Sequence, residues 1–219
     1  GKTYNVAILS STNGVYSDKS CLLQGATMPE APACLNVASI SPTILQVQWQ
    51  TNNTEGAQYF HINHNGSASY INASRESACS SSTTLCSVNI TGLGPGKTYN
   101  MTVAALSYDI QNNQSCSLIG TAMPNAPNCS HVSAVNTSTL QVNWYKDYVG
   151  GGTDFVIHLN GGVYSYTVSN ETACSNSSLC SYIINGLVPA SQHDIRILAS
   201  TYGVMNNDGC FLFGITTCL

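Results

Sequence analysis

Cysteine is the residue type with the most chemistry to offer in this chain of 219 residues, which contains ten of them. Their number is even and their spacing is regular, which is typical of a disulfide framework formed in an oxidising compartment. A zinc site would need matched close pairs such as CxxC, and the sequence has none. The cysteines are Cys21, Cys34, Cys79, Cys86, Cys116, Cys129, Cys174, Cys180, Cys210 and Cys218.

Asparagine offers a second chemistry, because Asn-x-Ser/Thr is the acceptor motif for N-linked glycans. The motif occurs ten times, about twice the number that chance would produce in a chain of this composition. Glycans would also solubilise a surface that has few charges. The alternative is that an Asn- and Ser-rich chain contains these motifs by chance and leaves them unused. The acceptor positions are Asn52, Asn65, Asn72, Asn89, Asn100, Asn113, Asn128, Asn136, Asn170 and Asn176.

Catalytic motifs are missing from the sequence, which contains no GxSxG, HExxH, Walker loop or GxGxxG. His61 and His64 lie three residues apart on a predicted strand, so their side chains face opposite sides and cannot share a metal ion. The carboxylates are too sparse for a paired acid and base. We therefore expect a protein that is not an enzyme, with no metal and no cofactor.

The charge balance excludes two classes of partner. Only 7% of the residues are charged, the net charge is −4, and Lys and Arg together number six. A nucleic-acid binder needs a basic stripe, and a membrane-surface binder needs a polybasic patch. No apolar run reaches the length of about 18 residues that a spanning helix needs, so we expect no membrane span in this segment. Together with the cysteines and glycan acceptors, this predicts a secreted or extracellular protein.

An internal repeat positions the cysteines and acceptor motifs. Residues 3–34, 98–129 and 192–218 align with one another, and so do 41–49 with 136–144 and 79–95 with 174–189. Such self-similarity indicates repeated structural units. The alignment predicts a leading fragment of one unit, followed by two whole units. Their predicted bounds are 1–29, 30–124 and 125–219.

Each unit has the alternation that predicts β-strands. Apolar residues at positions 45, 47 and 49 alternate with glutamine, and positions 140–144 repeat the pattern. Tyr99 begins a second inward row, and Tyr4 begins its counterpart in the leading fragment. Asn89 and Asn100 fall on outward faces, where a glycan has room. The pattern predicts an all-β fold with short strands in units of about 95 residues, the size of a β-sandwich.

Tryptophan in an early strand, followed by an LxxLxPGxxYxVxVxA-like stretch, resembles the fibronectin type III domain, in particular the cysteine-bearing kind found in secreted arrays. The resemblance implies tandem, disulfide-stapled β-sandwiches of immunoglobulin-like architecture. One departure is His193, where the family has tyrosine; an imidazole there is expected to donate a similar hydrogen bond. The residues that carry the resemblance are Trp49, Leu93, Pro95, Gly96, Tyr99, Met101, Val103 and Ala105, and then Trp144, Leu187, Pro189, Ile195, Ile197 and Ala199.

The cysteine pairing follows in part from spacing and in part from the resemblance. Cys79 with Cys86, and Cys174 with Cys180, each close a tight loop that we expect between adjacent strands. In a fibronectin type III sandwich the first strand and the start of the last strand share one pole. The resemblance therefore implies Cys34–Cys116 and Cys129–Cys210. A rival pairing, Cys21–Cys34 with Cys116–Cys129, would fold back the proline-containing linkers and stays open at this point.

Cys21 and Cys218 remain without a partner inside a unit. Cys21 aligns with Cys116, so its natural partner is an opening cysteine of the kind that precedes each unit. Cys218-Leu219 resembles Cys34-Leu35, the start of a unit. Either the chain is a window of a longer array, or these two cysteines join neighbouring subunits.

Two classes of function follow. The first is a structural extracellular glycoprotein that self-associates through the leading strand pair, 1–29, and assembles head to tail into a fibre or coat. Its support is the pair of near-identical linkers, MPEAP at 28–32 and MPNAP at 123–127, because equal linkers impose equal rotations. The second is an adhesion or receptor ectodomain in which the repeats are spacers and a loop binds a protein ligand.

Overall fold

The protein is an all-β chain in the computed structural model, which describes residues 1–51, 56–65, 70–80, 84–175 and 177–218. The two helices that it describes have only four and five residues. Contacts within the chain define two compact units. The first comprises Gly1–Ala38, Gln46–Ile90 and Tyr99–Gly120, and the second comprises Ser39–Leu45, Thr91–Thr98 and Thr121–Leu219.

The chain begins with two antiparallel strand pairs, an outer pair and an inner pair, which we together call the leading hairpin (residues 3–26). Its strands are β1 (Thr3–Ile8), β2 (Ser11–Thr12), β3 (Val15–Tyr16) and β4 (Cys21–Ala26). The outer pair is β1 with β4, and the inner pair is β2 with β3. β1 pairs with β4 so that Val6 lies opposite Leu23 and Ile8 lies opposite Cys21. Directly opposed residues of an antiparallel pair share a face, so these side chains form one apolar surface.

The first sandwich consists of a three-stranded sheet in the order β5-β6-β9 and a five-stranded sheet in which β11-β10-β7-β8 is extended by β12 beside β10. Its elements are β5 (Ala33–Ser41), β6 (Ile44–Gln50), β7 (Tyr59–His64), β8 (Ile71–Ser74), α1 (Arg75–Ala78), β9 (Leu85–Ile90), β10 (Thr98–Ser107), β11 (Ile110–Gln111) and β12 (Cys116–Thr121).

The core of the first sandwich forms where the alternating apolar residues of the two sheets meet. Val47 and Trp49 on β6 are fully buried, and so are Phe60 on β7 and Val103 on β10. The Trp49 and Phe60 rings meet edge to face, with their centroids 5.0 Å apart. Each fully buried side chain of this kind stabilises the fold by about 1.5 to 3 kcal/mol.

The second sandwich repeats this arrangement strand for strand. Its sheets run β13-β14-β17 and β16-β15-β18-β19, with β20 beside β18. Trp144 and Phe155 repeat the edge-to-face contact, with centroids 5.2 Å apart. Its elements are β13 (Asn128–Asn136), β14 (Thr139–Tyr145), β15 (Asp154–Leu159), β16 (Tyr164–Ser169), α2 (Asn170–Cys174), β17 (Leu179–Ile184), β18 (Gln192–Thr201), β19 (Val204–Met205) and β20 (Cys210–Ile215).

The short helices are a feature that the sequence did not predict. We expected the Cys79–Cys86 and Cys174–Cys180 loops to join adjacent strands, but a turn of helix precedes each loop. The cause is an N-cap at the start of each turn: the hydroxyl of Ser74 accepts from the backbone N–H of Ser77, and Ser169 accounts for the same cap in the second sandwich. A helix of one turn has no apolar periodicity by which a sequence could reveal it.

His193 occupies the expected tyrosine position but makes a different hydrogen bond from the one predicted. Its ring is buried, and the side-chain amide of Asn160 lies 3.2 Å from Nδ1. Because an amide nitrogen only donates, the imidazole accepts this bond rather than donating it. Its Nε2 is buried without a partner among the described residues.

The turn between β10 and β11 contains two residues in a backbone conformation that favours glycine, and a substitution there tests this feature of the fold. Tyr108 and Asp109 both have positive φ, 48° and 60°, whereas the equivalent turn of the second sandwich has glycine, Gly203, at the second position. We expect Asp109→Gly to raise the free energy of unfolding of the first sandwich by about 0.5 kcal/mol, because glycine adopts this conformation without steric cost. Denaturant titration measures the change. The reciprocal Gly203→Asp should lower stability by a similar amount, and two shifts of the same sign would contradict the explanation.

Candidate functional site

Four disulfides hold the two sandwiches. Cys34 is bonded to Cys116 and Cys129 to Cys210, with Cα–Cα distances of 5.6 and 5.5 Å, so each of these bonds ties the first strand of a sandwich to its last. The other two bonds tie the end of each short helix to the following strand. They are Cys79–Cys86 and Cys174–Cys180. The rival pairing across the linkers is not present.

Cys21 and Cys218 are the free cysteines of the described chain, and both are exposed. Cys21 lies at the start of β4, the strand that corresponds to β12 and β20 in the complete sandwiches. Its counterparts Cys116 and Cys210 are bonded and half-buried. An exposed thiol in this position is therefore available to a cysteine outside its own hairpin. Leu219, the neighbour of Cys218, lies outside the described residues.

The leading hairpin exposes an apolar face that is buried in the complete sandwiches. Val6 and Ile8 are 50% and 54% exposed, whereas their counterparts Met101 and Val103 are fully buried. Leu23, opposite Val6, is 53% exposed. Contiguous exposed apolar surface of this kind marks interaction sites. We call this surface the hairpin face; it consists of Tyr4, Val6, Ile8 and Leu23.

The glycan acceptor positions lie mostly on the surface. Asn52 and Asn176 are outside the described residues. Asn170 differs from the other described acceptors because it is half-buried: its amide nitrogen donates to the carbonyl of Gly152 at 3.2 Å, and its oxygen accepts from Lys146 Nζ at 3.0 Å. The exposed acceptors are Asn65, Asn72, Asn89, Asn100, Asn113, Asn128 and Asn136.

We predict that Asn170 carries no glycan. A sugar would replace one of the two hydrogens on this half-buried nitrogen, which donates to a backbone carbonyl. The sugar would therefore have to fit into space that the protein already occupies or displace that hydrogen bond. Glycopeptide mapping of the secreted chain should therefore find Asn170 unmodified while exposed acceptors such as Asn89 are modified. Asn170 occupied to the same extent as Asn89 would contradict this. The Lys146→Ala variant, which removes only the second contact, should leave Asn170 unmodified.

Two further residues, whose role the sequence pattern did not predict, hydrogen-bond to the segment that leads into each sandwich. The side-chain amide of Asn112 donates to the carbonyl of Pro29 at 2.7 Å, and Asn206 donates to Pro124 at 2.8 Å. Each asparagine also accepts a backbone N–H two residues ahead, which forms an Asx turn. The signal in the sequence was the recurrence of asparagine at the same repeat position.

Among the described residues, the side chains that could bind a metal ion do not form a cluster. In the part of the chain that the structure describes, no three His, Cys, Asp or Glu side chains form a metal site. His61 stacks on Tyr70, and His64 meets the ring of Tyr99 edge to face, so the two histidines have separate partners. The described residues also include no helix that is long and apolar enough to cross a membrane.

A hollow of about 350 Å³ on the second sandwich gathers the charged residues Asp194 and Arg196 beside His158. These groups already have partners. Asp194 accepts from the backbone N–H of Gly161, Arg196 donates to the carbonyl of Asn207, and His158 Nδ1 lies 2.7 Å from the hydroxyl of Ser165. These contacts hold the three side chains against the sheet, while the Nε atom of Arg196 is buried without a partner among the described residues.

The fold and the site together define two successive β-sandwiches, each with two internal disulfides and with exposed glycan acceptor motifs. Residues 30–119, which include most of the first sandwich, match the family model described as fibronectin type III domain. A two fibronectin type-III domain segment from chicken tenascin is 14% identical with a TM-score of 0.48, and the match covers 85% of this chain and 98% of that one. The FN1–FN3 domains of chicken CNTN1 are 15% identical with a TM-score of 0.45, covering 98% of this chain and 77% of that one. Neither likeness is close enough to carry a functional argument.

Proposed function

We propose that this protein is a non-enzymatic, N-glycosylated structural protein of the extracellular space, whose repeats assemble head to tail into a fibre or coat. The family of its first sandwich, the four disulfides and the seven exposed acceptor asparagines support an oxidising, extracellular setting. The predicted unit bounds, 30–124 and 125–219, belong to this proposal.

The observation that carries assembly is the exposed hairpin face. In the complete sandwiches the equivalent face is covered by the three-stranded sheet that bears the tryptophan, Trp49 or Trp144. The surface equivalent to the hairpin face forms part of the core in both complete sandwiches. The hairpin face is therefore complementary to strands like those of the three-stranded sheet. Strands of a neighbouring subunit would cover the hairpin face, and a cysteine of that subunit would form a disulfide with Cys21.

Sedimentation velocity of the glycosylated, secreted chain tests self-association. We expect the wild-type chain to form a concentration-dependent series of oligomers. The Val6→Asp/Leu23→Asp variant should be monomeric, because burying two unpaired carboxylates costs more than the interface can supply. The matched control is Val15→Asp/Leu22→Asp, which adds the same charge at exposed apolar positions outside the hairpin face and should assemble normally.

A wild-type chain that stays monomeric at its solubility limit would contradict the proposal. Equal loss of assembly in both variants would also contradict it, because the effect would then come from charge and not from the hairpin face.

One observation favours the second candidate function, that of an adhesion or receptor ectodomain. Tyr148 and Val149 protrude from the loop between β14 and β15 and are 77% and 74% exposed. The side-chain amide of Asn125 fixes the loop, because it donates to the carboxylate of Asp147 and to the carbonyl of Val149. A loop fixed by hydrogen bonds at its base that exposes an aromatic side chain is a suitable anchor for a protein ligand. Loss of cell adhesion in Tyr148→Ser/Val149→Ser, with assembly unchanged, would favour this function.

A further inference from the structure

One glycan acceptor, Asn72, lies within an aromatic surface of the first sandwich. The strand pairing places Asn72 on β8 opposite His61 on β7. The neighbouring pair, Ala73 and Phe60, points into the core and is buried. Because side chains alternate along a strand, Asn72 and His61 point outward together. The Asn72-Ala73-Ser74 acceptor motif therefore presents its amide on the outer surface of the sheet.

The neighbours of Asn72 on that surface are aromatic. Tyr70, two residues before it, stacks flat on the His61 ring, with centroids 4.5 Å apart and planes 6° apart. Tyr59 lies opposite Ser74 on the neighbouring strand, so Tyr59 is the diagonal neighbour of Asn72. A hollow of about 350 Å³ opens beside Asn72, and Tyr59, His61 and Tyr108 also line it.

The aromatic rings of this surface are suitable for packing against a sugar ring. A pyranose has one face made of C–H groups, and that face packs on an aromatic ring for both hydrophobic and electrostatic reasons. The polar residues Gln58 and Asp109 also line the hollow beside Asn72 and could hydrogen-bond to sugar hydroxyls. A glycan bonded to Asn72 is tethered beside the surface, so even a weak contact would be populated because its effective concentration is high.

We propose that the N-linked glycan of Asn72 folds back onto the outer face of β7 and β8, where its first N-acetylglucosamine packs on the stacked Tyr70–His61 pair. The contact stabilises β8, a four-residue edge strand, and covers exposed aromatic surface. The inference rests on the N-glycosylation included in the proposed function. It is specific to the first sandwich, because the equivalent pair in the second is Val156 and Thr167, without an acceptor motif.

Hydrogen exchange of the full secreted chain, with glycopeptide mapping of the same sample, tests the proposal. We expect Asn72 to be occupied and the β8 amides to exchange about fivefold more slowly than in Asn72→Gln, together with a fall of about 4 °C in the unfolding midpoint of the variant's first sandwich. The matched control is Asn89→Gln, which removes a glycan from an exposed strand position whose side-chain partner is Gln46. It should leave β8 unchanged.

Two treatments show which part of the glycan acts. Trimming every glycan to a single N-acetylglucosamine should preserve the slow exchange of β8, because the first sugar makes the contact. Tyr70→Ala should speed β8 exchange in the glycosylated chain more than in the Asn72→Gln background, since only the former has a sugar to lose. Equal effects of Tyr70→Ala in both backgrounds would show that tyrosine acts within the protein alone, and would overturn the inference.

The mapping separates the two proposals. An occupied Asn89 with an unoccupied Asn72, or an occupied Asn72 whose removal leaves β8 exchange unchanged, overturns this inference and leaves the proposed function standing. A secreted chain without glycan at any acceptor overturns both.

Discussion

Replacing Cys129 and Cys210 together by alanine is expected to lower the free energy of unfolding of the second sandwich by about 4.5 kcal/mol. The bond closes a loop with a sequence separation of 81 residues, so breaking it returns a large conformational entropy to the unfolded chain. A loss of this size is a large fraction of the stability of a typical domain. Denaturant titration of the oxidised chain, with the first sandwich as an internal reference, measures the loss.

The matched control is the second disulfide of the same sandwich. Cys174 and Cys180 are separated by only 6 residues, so the same chain-entropy argument predicts a cost of about 2.4 kcal/mol for replacing both by alanine. Equal costs for the two bonds would mean that the longer one does not act by restricting the unfolded chain.

Trp144→Ala is expected to destabilise the second sandwich by about 3 to 5 kcal/mol, because it removes the largest fully buried side chain of that core. The indole packs edge to face on Phe155, and its N–H is buried without a hydrogen-bond partner among the described residues. The whole cost is therefore one of lost packing. Equilibrium denaturation with a fluorescence-independent probe, such as circular dichroism, measures it.

Trp144→Phe is the control for that explanation. It replaces the indole by a smaller aromatic ring and removes the unpaired N–H, so part of the packing is kept and its cost should be well below that of alanine. Equal losses of unfolding free energy in the phenylalanine and alanine variants would mean that the N–H group itself makes a stabilising contact. That result would contradict an explanation by packing alone.

The strand layout was predictable because the physical cause is local in the sequence. The alternation around Trp49 and Trp144 depends only on strand periodicity, and both rows of residues are buried as expected. The sandwich architecture followed from repeat length and from the residues that resemble the fibronectin type III domain. The prediction of all-β, tandem sandwiches with disulfides is therefore confirmed by the structure.

The features that could not be predicted depend on contacts between distant residues. The half-buried state of Asn170 arises from Gly152 and Lys146, 18 and 24 residues away. The aromatic neighbours of Asn72 depend on the register of β7 against β8, which periodicity does not reveal. The role of His193 as an acceptor required the position of the Asn160 amide.

The leading hairpin connects the structure with the proposed function. Its outer strands, β1 and β4, repeat the pairing of β18 with β20, and in both pairs the second strand begins with a cysteine. An isolated two-stranded hairpin is marginally stable in water, so a covering partner would stabilise its fold as well as the assembly. Assembly and folding of residues 3–26 should therefore be coupled.

Disulfide mapping of mixed chains tests head-to-tail assembly most directly. Chains labelled with ¹⁴N and with ¹⁵N are secreted separately, mixed under gentle thiol exchange, digested without reduction, and analysed by mass spectrometry. The proposal predicts a Cys21–Cys218 peptide in which one half carries each label, because the bond joins neighbouring subunits. Free thiols at both cysteines, or a Cys21–Cys218 peptide with only one label in both halves, would contradict it.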